Sequence, residues 1–227
     1  MACSCCPHAK SAGRLFSFVA RRHRRRFAKK GFERSQLHLL AGLERVGFAG
    51  DSVLEIGSGV GHLHQTLLER GAGSAVGIDL ADGMLDEARR WAGERGLAER
   101  TRYVVGDFVE LSDELERVDL TLLDKVVCCY PDADTLVHTS LEKTRRVYAL
   151  TYPRRRWLTR FSMAAGSFGM WLVRSDFRTY VHDPAVIRSW IERAGFRRRH
   201  LARTAFWLIE VYERTENAGP DVNEARS

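Results

Sequence analysis

The chain has 227 residues, 44% of them hydrophobic and 29% charged, and a formal charge of +7 at pH 7. That is enough apolar material for one ample domain and too much for a disordered polyelectrolyte. No uncharged stretch reaches the roughly 20 residues of a membrane span, none exceeding the length of Phe161 to Val173, and collagen, coiled coil and disulfide scaffold are excluded by composition as well.

Taken in order, residues 1–12 are Cys-rich and aperiodic, and a flexible terminus is expected there. MACSCCPHAK has no apolar leader core, and five cysteines, an odd number, read as reduced thiols, so the expected compartment is the cytoplasm. Between about 14 and 47, Leu15, Phe16, Val19 and Phe27, then Leu37, Leu40 and Leu43, recur at helical spacing, with Gly31 as the break. Residues 13–48 are therefore expected to form a basic helical cap. SVLEIGSG reads as a strand running into glycines, HLHQTLLERG as a helix stopped by Gly71, AVGIDL as a strand and ADGMLDEARRWAGERG as a helix. RYVVGD, VDLTLLDKVV and RVYALTYP are further strands, DPAVIRSWIERAGF a helix with an Asp-Pro start, and HLARTAFWLIEVYER one or two closing strands. Strands alternating with helices of this length predict an α/β fold with a mainly parallel sheet. Residues 215–227 are polar, with Gly, Pro and Asn, and are expected to form a disordered tail.

Charge is segregated along the chain. Lys10 to Arg34 holds ten basic residues and one acid, Ser35 to Thr144 ten basic and twenty acidic, and Arg145 to Arg203 fourteen basic and three acidic. Two basic segments around an acidic centre favour an anionic partner, although solvated helix faces give the same pattern.

The segment that carries chemistry is Val53-Leu54-Glu55-Ile56-Gly57-Ser58-Gly59-Val60-Gly61. An apolar strand entering glycines and then a helix permits a tight turn and close backbone approach to a ligand, at the strand ends where open α/β sheets bind their ligands. An acid at the end of the second strand suits ribose hydroxyls, and Asp79 stands 22 residues after Gly57. The dinucleotide fingerprint G-x-G-x-x-G is not met, because the third glycine comes one residue early and His62 fills its place.

In this pattern, followed by Gly106-Asp107-Phe108 and by Asp119 to Asp124, the sequence resembles the class I S-adenosylmethionine-dependent methyltransferase family over roughly residues 35–213. The resemblance implies a Rossmann-like, seven-stranded, mostly parallel sheet with an antiparallel last strand, helices on both faces, and a methyltransferase domain at 49–214 using S-adenosyl-L-methionine. By the same resemblance Glu55, Gly57, Gly59 and Gly61 face the methionine part of the cofactor and Asp79 takes the ribose. Leu80 and Met84 flank the adenine, Asp107 and Phe108 hold its edge, and Asp124 closes the cofactor set. DKVVCCYPD, RVYALTYPRRRW and DFRTYVHDPAVI are similar, more narrowly, to the magnesium-protoporphyrin O-methyltransferase type.

Methyl transfer from a sulfonium needs orientation, dryness and a deprotonated nucleophile, and it needs no metal. A carboxylate acceptor is already ionised at neutral pH and asks only for cations. As in the porphyrin-type enzymes it resembles, the favoured reaction is O-methylation of a small, anionic acceptor, with Tyr130, Arg178 and His182 as candidate catalytic or acceptor contacts and Arg154, Arg155 and Arg156 beside them. The basic helix 13–48 leaves peripheral contact with an anionic membrane open. Methylation of RNA or another polyanion is the rival reading, weakened by the lack of an appended RNA module. The missing [DN]-P-P-[YF] box, replaced by Cys128-Cys129-Tyr130-Pro131-Asp132, lowers the case for nucleobase or amide N-methylation. Cys3, Cys5, Cys6 and His8, with Cys128 and Cys129 far along, raise thiolate-assisted metalloid methylation as a further alternative. Their spacing is not that of a structural zinc site, and His62 and His64, two apart on a helix, face different ways. A non-enzymatic binding or scaffold role would show as failure to bind the cofactor.

Overall fold

In the computed structural model, residues 7–155 and 179–215 are described. Seven strands, β1 (Ser52–Ile56), β2 (Ser74–Asp79), β3 (Thr101–Val105), β4 (Val118–Asp124), β5 (Thr144–Pro153), β6 (Phe196–Arg203) and β7 (Trp207–Arg214), form one sheet in the order β3-β2-β1-β4-β5-β7-β6. All neighbours are parallel except β7, which runs antiparallel to both β5 and β6. The strand order reverses between β1 and β4, so a crevice opens outside their carboxyl ends.

Among the described residues seven α-helices accompany the sheet: α1 (Pro7–Lys30), α2 (Arg34–Val46), α3 (His62–Glu69), α4 (Asp82–Glu94), α5 (Phe108–Leu111), α6 (Ala133–Glu142) and α7 (Pro184–Arg193). Helix α1 starts at Pro7, ahead of the boundary near residue 13 expected from periodicity. The break at Gly31 falls where a positive φ of 67° ends the first helix, and Gln36 Oε1 accepts the Glu33 N–H at 3.1 Å to open the second. Asp183 caps α7 through the Ala185 N–H at 2.9 Å, with Pro184 in the first turn.

Period-two alternation divides the core between the faces of the sheet. Val53, Leu120, Leu122, Val147, Ala149 and Val211 pack with the leucines of α2 and α3. Leu54, Ile56, Leu123, Tyr148, Leu150 and Tyr212 pack with Leu136 and Val137 of α6 and Ile187 and Ile191 of α7. Helix α6 was not anticipated from sequence, although Asp132 caps it through the Thr135 N–H at 3.1 Å and Leu136, Val137 and Leu141 give it one apolar face. Strand β6 begins at Phe196, four residues ahead of expectation, and an irregularity between Arg198 and His200 hides its alternation.

Helix α1 lies along α4. Glu87, 4% exposed, receives Arg24 at 3.2 Å, Arg90 at 2.8 Å and Arg21 at 3.5 Å, and Arg24 also reaches Glu94. Part of the basic run is thus neutralised inside the fold, while Arg22, Arg25, Lys29 and Lys30 stay exposed.

Gly42 marks the tightest approach of α2 to the sheet, where an added Cβ would stand 2.6 Å from His200 Cδ2 and 2.8 Å from Val211 Cγ2. Alanine improves helix propensity by about 1 kcal/mol, but overpacking a filled interface costs about 1–3 kcal/mol, and the second effect wins. Gly42→Ala should therefore lower the urea midpoint by an amount equivalent to about 1 kcal/mol; an unchanged or raised midpoint would show that His200 yields freely.

Candidate functional site

The glycine loop after β1 is fixed by the end of β2. Asp79 Oδ2 accepts the Gly59 N–H and its Oδ1 accepts the Ala81 N–H, both at 2.8 Å. Burial raises the Asp79 carboxyl above the usual range, and the two amides offset part of that rise. Gly57 has φ 65°, and a Cβ there would lie 2.4 Å from Val126 Cγ2, so a side chain would strike the turn after β4.

Glu55, 2% exposed, is held from below: its Oε2 accepts the His64 backbone N–H at 3.2 Å and lies 2.5 Å from His64 Nδ1. His64 Nε2 is 3.0 Å from the Tyr103 hydroxyl, which also accepts from Gln65 Nε2 at 2.8 Å. This buried chain orients Glu55 beneath the glycine loop.

At the end of β3, Asp107 caps α5 through the Val109 N–H at 2.9 Å and accepts the Tyr130 hydroxyl at 3.0 and 3.1 Å. Burial raises the Asp107 carboxyl, and burial together with this carboxylate holds the Tyr130 hydroxyl protonated far above its usual range. At the end of β4, Gln36 Nε2 donates to Asp124 Oδ2 at 2.8 Å and lies 2.8 Å from His62 Nε2. Because the amide nitrogen is the donor, His62 Nε2 accepts and its proton sits on Nδ1. Burial lowers the His62 pKa, in keeping with a neutral ring. Asp124 Oδ1 and His62 Nδ1 are buried without a partner among the described residues.

These groups border a cavity of about 540 Å³ roofed by α1 and α2. Phe27 stacks on His62 at 4.7 Å and 26°, and His23, Arg26 and Phe27 line the roof. Lys125, with φ 63°, places its Nζ 2.6 Å from Glu33 and 5.3 Å over the Trp207 ring. Arg26 stands 3.4 Å from the same Glu33, so two cations share one carboxylate at the rim. Cys128 and Cys129, on the turn that follows, also line the cavity.

Of the residues singled out from sequence, Glu55, Gly57, Gly59, Asp79, Leu80, Met84, Asp107, Phe108, Asp124 and Tyr130 all line this cavity. Gly61 does not: it opens α3, and a Cβ there would meet Gln65 Nε2 at 2.8 Å and His64 Cε1 at 2.9 Å, which makes it a packing glycine. His182 stands outside the lining, with Nε2 3.2 Å from the Tyr130 carbonyl oxygen, and is a tie on the turn that carries Tyr130. Arg154 donates to the Thr204 carbonyl at 2.9 Å, and Arg155 pairs with Asp183. Arg156, Arg178, Cys3, Cys5 and Cys6 lie outside the described residues. Gln36, His62, Phe27 and Trp207 were missed as cavity residues. The G-x-G-x-G-H run hinted at His62, but nothing local marks Gln36 as its partner. Among the described residues no group of three His, Cys, Asp or Glu side chains is gathered for a metal, and no helix is long and apolar enough to cross a membrane.

Comparison with known proteins agrees with this architecture. The family profile described as a methyltransferase domain matches residues 53–149. The ubiquinone biosynthesis O-methyltransferase of Pseudomonas aeruginosa (strain LESB58) is 27% identical over 159 residues, 67% of each chain. Two structures of magnesium protoporphyrin IX methyltransferase from Synechocystis PCC 6803 share the fold. The one with bound SAH is 20% identical, covers 90% of this chain and 98% of its own, and has a TM-score of 0.68. The one with bound SAM is 18% identical, covers 94% and 100%, and has the same TM-score. A domain match running from β1 into β5, on a sheet whose order reverses beside the glycine loop, gives the chain a methyltransferase domain at residues 53–149, with S-adenosylmethionine as its methyl donor.

Proposed function

We propose that the chain transfers the methyl group to an oxygen of a small acceptor with a flat, apolar body and an anionic group. The observation that carries this reading is the composition of this cavity. Four carboxylates, Glu55, Asp79, Asp107 and Asp124, sit at its sheet side, while Phe27, Trp207, Arg26 and Lys125 border its other side. When bound, S-adenosylmethionine supplies an electrophilic methyl group on a sulfonium.

The residues present fit that cofactor. Asp79, already fixed by two amides, keeps lone pairs for a ribose diol. Asp107 accepts a base amino group, with Phe108, Met84 and Leu80 as apolar walls. The unpartnered Asp124 Oδ1 and His62 Nδ1–H leave one acceptor and one donor for the ammonium and carboxylate of an amino acid. Each such buried group costs about 1–3 kcal/mol when unpaired, so a zwitterion there relieves both. Tyr130, its hydroxyl given to Asp107, acts as a positioning residue rather than a base.

On the acceptor side, two cations against Glu33 leave the rim net positive, which suits an anionic group. A carboxylate needs no base; for a phenol, the His23 ring of the lining is the available proton acceptor, since burial and the neighbouring Arg26 lower it, whereas the one acceptor nitrogen of His62 is already given to Gln36. The matched relative named for ubiquinone biosynthesis and the fold neighbour named for a magnesium porphyrin support oxygen acceptors of this kind.

The direct test supplies methyl-labelled S-adenosylmethionine to the purified chain with cell extract split into small molecules with lipids, and RNA with protein. Label is expected in the first fraction; label confined to the second would overturn the small-acceptor reading. Asp124→Asn keeps the Gln36 contact but removes the charge facing an ammonium, and the Kd for S-adenosylhomocysteine by calorimetry should rise at least about tenfold. An unchanged Kd would place the amino acid end elsewhere.

The raised Asp107 carboxyl has a pH consequence. The native state holds this proton to higher pH than the unfolded state, so the ligand-free chain loses stability as pH rises from about 4 through the native value. Asp107→Asn, an equally good helix cap, removes that loss. Urea unfolding from pH 4 to 8 should show the variant gaining on the parent as pH rises, whereas a constant difference would mean that Asp107 ionises freely.

A further inference from the structure

Val127, Cys128 and Cys129 form a single 3₁₀ turn that begins two residues after the left-handed Lys125. The turn gathers both sulfurs under one carbonyl: Cys128 Sγ lies 3.2 Å and Cys129 Sγ 3.5 Å from the Lys125 oxygen. The two sulfurs are 3.8 Å apart, and neither is disulfide-bonded. Both residues border the cavity, and neither has a role in holding the cofactor or moving its methyl group as described above.

Two thiols at this separation can reach one soft atom together: sulfur–metal bonds of about 2.3 Å at a tetrahedral angle span about 3.8 Å, and a pyramidal trivalent atom draws its two sulfurs slightly closer. The number of ligands decides which soft atom. A zinc-like cation asks for about four ligands, and no group of three metal-binding side chains exists among the described residues. A trivalent metalloid that already carries one organic or hydroxyl group needs only two more bonds, and the pair supplies both. We propose that Cys128 and Cys129 form a vicinal dithiol site for a thiophilic trivalent metalloid, an organoarsenical of the type R–As=O, seated in the wall of the methyl-transfer cavity. The inference does not rest on the identity of the acceptor.

The chemistry balances without an oxidant. Each S–H is exchanged for an S–As bond, the arsenic oxygen leaves with both hydrogens as one water, and arsenic stays trivalent. The Cys128 contact lowers the Cys129 thiol while raising its partner, so Cys129 is the sulfur that attacks first.

The chain has five cysteines, so in a C3S/C5S/C6S variant Cys128 and Cys129 are the only thiols. Phenylarsine oxide is the probe, and intact mass is the readout. One phenylarsenic group per chain is expected, with loss of one water and of both titratable thiols. The adduct should resist excess monothiol and be reversed by a 1,2-dithiol. Cys129→Ser in that background should weaken binding about 10²-fold or more, the advantage of a second linked bond; Cys128→Ser, at the more buried position, should do the same. Circular dichroism of each variant separates loss of the site from loss of the fold. If the three-serine chain takes up no arsenical, or if Cys129→Ser binds as tightly as its parent, the dithiol site is wrong.

Discussion

The site depends on one carboxylate gripping two backbone amides. Asp79 joins the glycine loop that follows β1 to the start of α4, because its two oxygens are divided between the Gly59 and Ala81 N–H groups. The Gly59 amide lies two residues beyond Gly57, where an added Cβ would strike Val126. Without the carboxylate both amides would be donors lacking acceptors at the edge of a cavity. The loop is therefore held in its ligand-ready shape before any ligand arrives, and catalysis by orientation requires such preorganisation.

A second layer supports the first from inside the sheet. Glu55, His64, Tyr103 and Gln65 form a buried polar chain whose members each find a partner, which is the condition under which such a chain stiffens a core rather than weakens it. Gly61 and Gly77 make room for it, since a Cβ on either would come within 3.2 Å of the His64 ring. The cap reaches the same site from outside. Gln36 of α2 touches Asp124 and His62, and Phe27 of α1 covers His62. The acidic face of α4 answers Arg21 and Arg24, so the basic character of α1 serves docking within the chain as well as display.

Much of this was legible in the sequence because it is written locally. The run from Val53 to Gly61 joins an apolar strand to a left-handed turn, and the acids at 79, 107 and 124 each close a strand of fixed period. The parts that escaped are made by contacts between distant positions. Gln36 looks like an ordinary polar residue of an amphipathic helix until the fold brings it to residues 62 and 124. Tyr130 stood as a candidate hydroxyl or ring wall, and its sequence neighbours do not reveal Asp107, 23 positions away, as the acceptor of its hydroxyl. Gly61 fitted the motif and serves packing, since a spacing rule cannot tell which side of a turn a missing Cβ faces. Helix α6 was obscured by the unusual composition of the turn before it.

Lys125 stands in a left-handed backbone conformation that a residue with a Cβ adopts at a cost of about 1–2 kcal/mol. Glycine would remove that cost, yet it would also remove the cation that lies between Glu33 and Trp207 at the cavity rim. Durability and rim charge thus pull against each other at one position. Selection for heat resistance alone would tend to strip the cavity mouth of its positive charge there, and a hardened variant obtained that way would have traded acceptor capture for longevity.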